Sequence, residues 1–187
     1  MGEISPTSRT VHDADTKKNI MCYYSGKYYA KSTWGKDEYS WQVYNSKDND
    51  SSEKFWPQFE RTFLYARKME QDNFDCSCLM PGHDRPHNKT CGMMQEKLKQ
   101  QYSVEPHNVL IKTPGCRKSY TMSSAERFQE IRAHAAVSAS ISVNGKSVIL
   151  LDDILATGAH VAAYGSLLYK CGAKNVAVVV IAENELR

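Results

Sequence analysis

The period of apolar and polar positions changes along the chain, and the changes mark out its elements. Val148 to Leu151 is an unbroken apolar run, too short for a helix and rich in β-branched and aliphatic side chains, as in a buried parallel strand. After a short turn, Val161, Tyr164, Leu167, Leu168 and Cys171 recur at helical spacing, with Gly172 as the expected C-cap. A second apolar run, Val176 to Ile181, closes the unit. The stretch Ser147 to Ala182 therefore predicts strand, turn, helix, strand: a right-handed βαβ crossover.

The remaining chain is less regular. Residues 1–19 are polar and aperiodic, which predicts a flexible arm. IMCYYSGKYYAK, Ile20 to Lys31, predicts a hairpin about Ser25-Gly26. EYSWQVY, Glu38 to Tyr44, alternates as a third strand would, and NSKDNDSS, Asn45 to Ser52, reads as a linker. The tyrosines and tryptophans here suit either a stacking surface for a base or a small satellite core, and the pattern does not choose between them.

Ser52 is the expected cap of a helix from Glu53 to about Gln71, with Phe55, Phe59, Phe63 and Ala66 on one stripe and Pro57 in its first turn. DCSCLMP, Asp75 to Pro81, predicts a strand, followed by a polar loop to Thr90 and a helix facing inward through Cys91, Met94 and Leu98. NVLIK, Asn108 to Lys112, predicts a short buried strand, and TPGCRKSYTM, Thr113 to Met122, an exposed mobile loop. Ser123 or Ser124 caps a helix through about His134, with Glu126 in its first turn. Ala135 to Val143 alternates as an edge strand, and Asn144-Gly145 is a turn signal. These elements divide into an arm, 1–19, a β-rich N-terminal segment, 20–52, and a main α/β domain, 53–187.

Composition narrows the class only a little. At 187 residues the chain is long enough for one domain with a substantial core. A formal net charge of +3 forces neither a nucleic-acid nor a membrane partner. No apolar run is long enough to span a bilayer, and MGEISPTSRT does not read as a signal peptide. Six cysteines fit buried thiols in a reducing compartment, hence the cytoplasm, better than a disulfide framework.

The chemistry concentrates in VILLDDILATGAH. Asp152 and Asp153 sit where the strand is expected to end, and ligands of open α/β sheets bind at that end. Small residues at Ala156, Gly158 and Ala159 let backbone N–H groups approach an anion, and the helix start adds partial positive charge. Thr157 and His160 add side-chain donors. A carboxylate pair beside a phosphate suits sugar hydroxyls, with a divalent cation balancing charge.

This stretch resembles the phosphoribosyl-pyrophosphate (PRPP) signature of type I phosphoribosyltransferases: an apolar run, two acidic residues, then Thr-Thr-Gly and often a final Thr. Ala156 stands for the first Thr and His160 for the last. The resemblance implies a Rossmann-like, mostly parallel sheet with helices on both faces, and a β-rich N-terminal hood. It implies that Asp152 and Asp153 hold the ribose hydroxyls and that Ala156, Thr157, Gly158, Ala159 and His160 hold the 5′-phosphate. Mg²⁺ would come with PRPP and meet Asp152 and Asp153.

MPGHDRPHNKTCGMMQEKL and SSAERFQEIRAHAAV resemble segments of ComF-type members of the family. By that resemblance Gly82, His83, Asp84 and Lys89 bind pyrophosphate, and Arg85 is added on charge. Arg117 and Lys118 lie on the loop that would close over the site, or are a solvated basic tip. A competing reading makes Cys76, Cys78, His83, His87 and Cys91 zinc ligands, although their spacing is not that of paired CxxC knuckles.

The implied function is transfer of 5-phosphoribosyl from PRPP to a nitrogenous base or amine, with PRPP and a small-molecule acceptor as partners and the aromatic N-terminal region as a candidate homodimer surface. Two alternatives stand beside it: a non-catalytic PRPP- or nucleotide-binding regulator, and an accessory factor in DNA processing or in defence against foreign DNA.

Overall fold

A computed structural model describes residues 5–29, 37–46, 50–82, 88–116, 122–138 and 141–185. Its centre is the predicted crossover: β8 (Ser147–Leu155), α5 (Ala159–Lys170) and β9 (Asn175–Asn184), with β8 and β9 parallel. Around it runs a seven-stranded sheet. β1 (Thr7–Asp13) lies at one edge, followed by β2 (Lys18–Tyr24), β9, β8, β4 (Cys76–Leu79) and β5 (Glu105–Pro106), and β3 (Lys27–Tyr28) also pairs with β9. Among the described residues, only the β1–β2 pair is antiparallel in this sheet. The fold is therefore α/β with a mostly parallel central sheet.

The period-two alternation of the two central strands splits the core in two. Val148, Leu150, Val176, Val178 and Val180 face one way, against Val161, Tyr164 and Leu168 of α5 and Ile131 of α4 (Ser124–His134). Ile149, Leu151, Ala177, Val179 and Ile181 face the other. They meet Phe59, Phe63 and Ala66 of α2 (Trp56–Glu70), Met94 and Leu98 of α3 (Lys89–Tyr102), and Val43 of α1 (Glu38–Ser46). Helices thus cover both faces. Among the described residues, no helix is long and apolar enough to cross a membrane.

The N-terminal third differs from the pattern-based expectation. Residues 7–13 of the supposed flexible arm are β1, ladder-paired with β2 along its full length. Val11 is the strand's one large apolar side chain, so the alternation that would have announced it is missing. The expected hairpin is instead a jog. β2 and β3 both run parallel to β9, interrupted at Ser25-Gly26, where the Gly26 carbonyl accepts from the Glu183 amide at 2.9 Å. A side chain at Gly26 would strike the Tyr39 ring, which holds the chain in this path. EYSWQVY is helical in α1, with Ser40, Val43 and Ser46 buried at a spacing of three and Trp41 and Tyr44 exposed.

Other boundaries shift modestly. A 3₁₀ segment, Asp50–Phe55, precedes α2, which begins at Trp56 with Pro57 in its first positions, so Ser52 does not cap it. NVLIK gives β6 (Leu110–Lys112), which pairs antiparallel with β7 (Ala135–Val137) in a separate two-stranded sheet. β7 is all that the described residues show of the expected edge strand from Ala135 to Val143.

Candidate functional site

β8 does not end at the carboxylate pair. It continues to Leu155, but its ladder with β9 skips Asp153, whose amide donates to Asp152 Oδ1 at 2.9 Å. Before this point, odd-numbered residues face α2 and α3. After it, Ile154 faces that side and Leu155 the other. Strict alternation would send adjacent side chains to opposite faces. Asp152 and Asp153 nevertheless line the same cavity, at the point where the facing pattern of β8 reverses while its register with β9 stays constant.

That cavity, of about 390 Å³, opens at the carboxyl ends of β8 and β9. Ala156, Thr157, Gly158 and His160 form one wall. Gly158 is the N-cap of α5, with φ 84° and no capping side chain, so the first-turn amides of α5 are presented at the loop. The Ala159 amide leans on Thr157 Oγ1 at 3.4 Å, and Ala159 itself is buried. The His160 ring stacks on Tyr164, with centroids 6.3 Å apart and planes 13° from parallel. Burial pushes the Tyr164 hydroxyl well above its ordinary pKa, helped by nearby Cys116 and Asp152, so the phenol stays protonated.

The remaining predicted residues distribute unevenly. Pro81 and Gly82, just beyond β4, line the cavity. His83, Asp84, Arg85 and His87 lie outside the described residues, as do Arg117 and Lys118. Lys89 is the exposed first residue of α3 and is not on the cavity wall, while the side chain of Asn88 caps that helix by accepting from Thr90 N at 2.9 Å. The cysteines of the zinc reading do not converge: Cys76 and Cys78 belong to one core and Cys91 to the other. Cys78 Sγ instead donates to the His107 carbonyl at 2.7 Å.

Several wall residues had no signal in the sequence. α4 supplies Arg127 and Glu130, β6 ends in Lys112, and Cys116 follows it. Tyr28 of β3 and Asn184 of β9 close the other side. The cavity therefore mixes carboxylates with two cations. Arg127 and Glu130 lay in a stretch already singled out, SSAERFQEIRAHAAV, but neither was read as a site residue.

Behind the loop stands a charged cluster. Arg9 Nη1 donates to the Ala156 carbonyl at 3.3 Å, and Nη2 to that of Thr157 at 3.4 Å. Glu183 accepts from Arg9 at 3.2 Å and from Lys27 at 2.8 Å. Burial alone would raise the Glu183 carboxyl, but hydrogen bonds from Lys27, Tyr24 and Arg9 outweigh it and hold the pKa below the ordinary 4.5.

A carboxylate pair late in β8, a glycine-capped helix start and a cavity between them stand together at the carboxyl end of the sheet. The family model for the phosphoribosyl transferase domain matches residues 92–186, just over half of the chain, and the chain belongs to this family. Among curated proteins, none matches it significantly in sequence.

Solved structures to which the chain is similar include adenine phosphoribosyltransferase from Saccharomyces cerevisiae, at 14% identity and a TM-score of 0.45, covering 95% of this chain and 83% of that one. Purine phosphoribosyltransferase from Pyrococcus horikoshii is similar at 16% identity and a TM-score of 0.42, covering 84% and 78%. Glutamine phosphoribosylpyrophosphate amidotransferase from B. subtilis is similar at 21% identity and a TM-score of 0.40, covering 57% of this chain. The chain spans only 22% of the length of that amidotransferase.

Proposed function

We propose that this cavity binds PRPP and that the protein transfers its 5-phosphoribosyl group to a nitrogenous base or amine, releasing pyrophosphate. The observation that carries the reading is the convergence of Asp152, Asp153, Ala156, Thr157, Gly158 and His160 on one cavity at the start of α5. On this reading Asp152 and Asp153 accept hydrogen bonds from the ribose 2′- and 3′-hydroxyls. The amides of the loop and of the first turn of α5 receive the 5′-phosphate. Gly82, with His83, Asp84 and Lys89, is assigned to pyrophosphate, and Arg117 and Lys118 to the closing loop. The resemblance of MPGHDRPHNKT and SSAERF supports a place in the ComF-type branch.

In the transfer, the bond from the anomeric carbon to pyrophosphate breaks, pyrophosphate leaves with the electron pair, and the acceptor nitrogen forms the new bond. Positive charge grows on the sugar as this happens. The protein needs only to hold the sugar, shield it from water and keep carboxylates nearby. The donor set fits a divalent cation shared with the ligand. Two adjacent carboxylates are offered, and the described residues contain no cluster of three or more metal-binding side chains. Magnesium takes such sparse protein ligation when phosphates and water complete its shell. Bound there through Asp152 and Asp153, Mg²⁺ would offset the charge of pyrophosphate.

The test is pyrophosphate release from PRPP with a panel of purines, pyrimidines and amines, beside Asp153→Asn. Release with one acceptor that the variant loses is the expected result. Binding of PRPP with no release from any acceptor would instead support a regulator that binds without turnover. The observation behind that second reading is the His160 ring, stacked on Tyr164 where the family signature has a threonine hydroxyl.

A further inference from the structure

Arg9 reaches the phosphate loop from behind. It is absent from the cavity wall and lines a shallower hollow of about 260 Å³ on the β1 side, with Val11, His12 and Phe128. Its guanidinium engages two successive carbonyls, those of Ala156 and Thr157. In a trans peptide the carbonyl and the following N–H point in opposite directions. Holding these two carbonyls toward β1 therefore turns the N–H groups of Thr157 and Gly158 toward the cavity. Two residues along the strand, Val11 packs on Gly158 so closely that an added Cβ would lie 2.8 Å from Val11 Cγ2. One edge strand thus meets three consecutive loop residues.

We propose that Arg9 is a positioning residue for the phosphate loop. With Glu183 as its counter-ion, it presets the 156–158 peptides so that their N–H groups receive a phosphate monoester. The inference rests on the phosphate reading of the loop given above. The Arg9 side chain is 37% exposed, and an ion pair this open contributes little by itself. The specific contribution is the fork that spans two carbonyls, which a lysine ammonium does not reproduce. Arg9→Lys keeps the charge opposite Glu183 but loses the fork, so it separates a general structural ion pair from loop positioning.

Two measurements decide it, each on wild type, Arg9→Lys and Arg9→Met. The first is hydrogen exchange of the ligand-free protein. The amides of Ala159 and Ala162, which donate to Thr157 Oγ1 and to the Gly158 carbonyl, should exchange roughly tenfold faster in both variants, with residues 147–151 and 176–181 unchanged. Equal protection of the loop in all three proteins overturns the proposal, as does full rescue by lysine. The second is titration with PRPP and Mg²⁺, in which both variants should bind about tenfold or more weakly, the scale of one lost charge-assisted contact. If wild type binds PRPP and the variants bind as tightly, the positioning role is refuted and the phosphate reading stands. If wild type does not bind PRPP, the phosphate reading fails and the exchange measurement alone decides whether Arg9 orders the loop.

Discussion

Replacing Gly158 with alanine tests whether the loop geometry is fixed by the backbone. Gly158 has φ 84° and ψ 0°, in the left-handed region. An ordinary side chain there costs about 1–2 kcal/mol. The new Cβ would also lie 2.8 Å from Cγ2 of Val11, closer than side-chain carbons sit. Val11 is 8% exposed and packed in the core, so it cannot swing clear without moving its neighbours. Overpacking of this kind costs about 1–3 kcal/mol. The sum is about 2–5 kcal/mol, a large share of the roughly 5–15 kcal/mol that stabilises a domain.

Gly92 is the matched control. It is helical, and a Cβ there meets nothing within 4 Å. Gly92→Ala should raise stability by about 0.5–1 kcal/mol. The assay is urea unfolding of both variants and wild type, followed by circular dichroism, with the slopes compared as well as the midpoints. Gly158→Ala losing less than about 1 kcal/mol at unchanged slope would refute the reasoning, because the loop would then be free to relax.

Further predictions follow from the charged cluster and from α4. The Glu183 carboxyl is lowered in the folded chain, so its stabilisation is complete above about pH 4.5 and is lost as pH falls through the folded value. Glu183→Gln should therefore cost about 1–3 kcal/mol near neutrality, and its stability curve should converge with that of wild type in acid. Urea unfolding at stepped pH checks this, and a constant gap down to about pH 3 would contradict it. Ser123 caps α4 in a reciprocal capping box with Glu126, so Ser123→Ala should cost about 1 kcal/mol by thermal unfolding. Phe63 is fully buried between α2 and the sheet, and Phe63→Ala should cost about 3–5 kcal/mol.

Which parts were legible in the sequence follows from how locally each is specified. β8, α5 and β9 were readable because strands buried on both faces are continuous apolar runs, and Gly158 lies within four residues of the helix that it starts. The cap of α4 was readable to within one residue, as Ser123 or Ser124, for the same reason. β1 was not, since its place comes from the β2 ladder and from Arg9 and Val11 meeting a loop some 150 residues away, 147 from Arg9 to Ala156. The jog between β2 and β3 was hidden similarly, because both strands pair with β9 rather than with each other. EYSWQVY satisfies a strand period and a helix period over so few residues, and only its packing against Phe55 and the sheet selects the helix.

The site divides along the same line. The carboxylate pair and the loop were visible as a contiguous motif, whereas Arg127, Glu130, Tyr28 and Asn184 reach the cavity only through tertiary packing. Even the shared orientation of Asp152 and Asp153 was beyond the pattern. Alternation predicts opposite faces, whereas both side chains line one cavity where the ladder with β9 omits Asp153 and its amide donates to Asp152.

Calorimetric titration with PRPP, with and without Mg²⁺, beside the Asp152→Asn/Asp153→Asn double variant, tests the central claim most directly. The account predicts binding that depends on the metal and is lost in the double variant while its unfolding curve stays close to that of wild type. Binding of equal strength in both proteins would contradict it, as would no binding by the wild-type protein at any metal concentration.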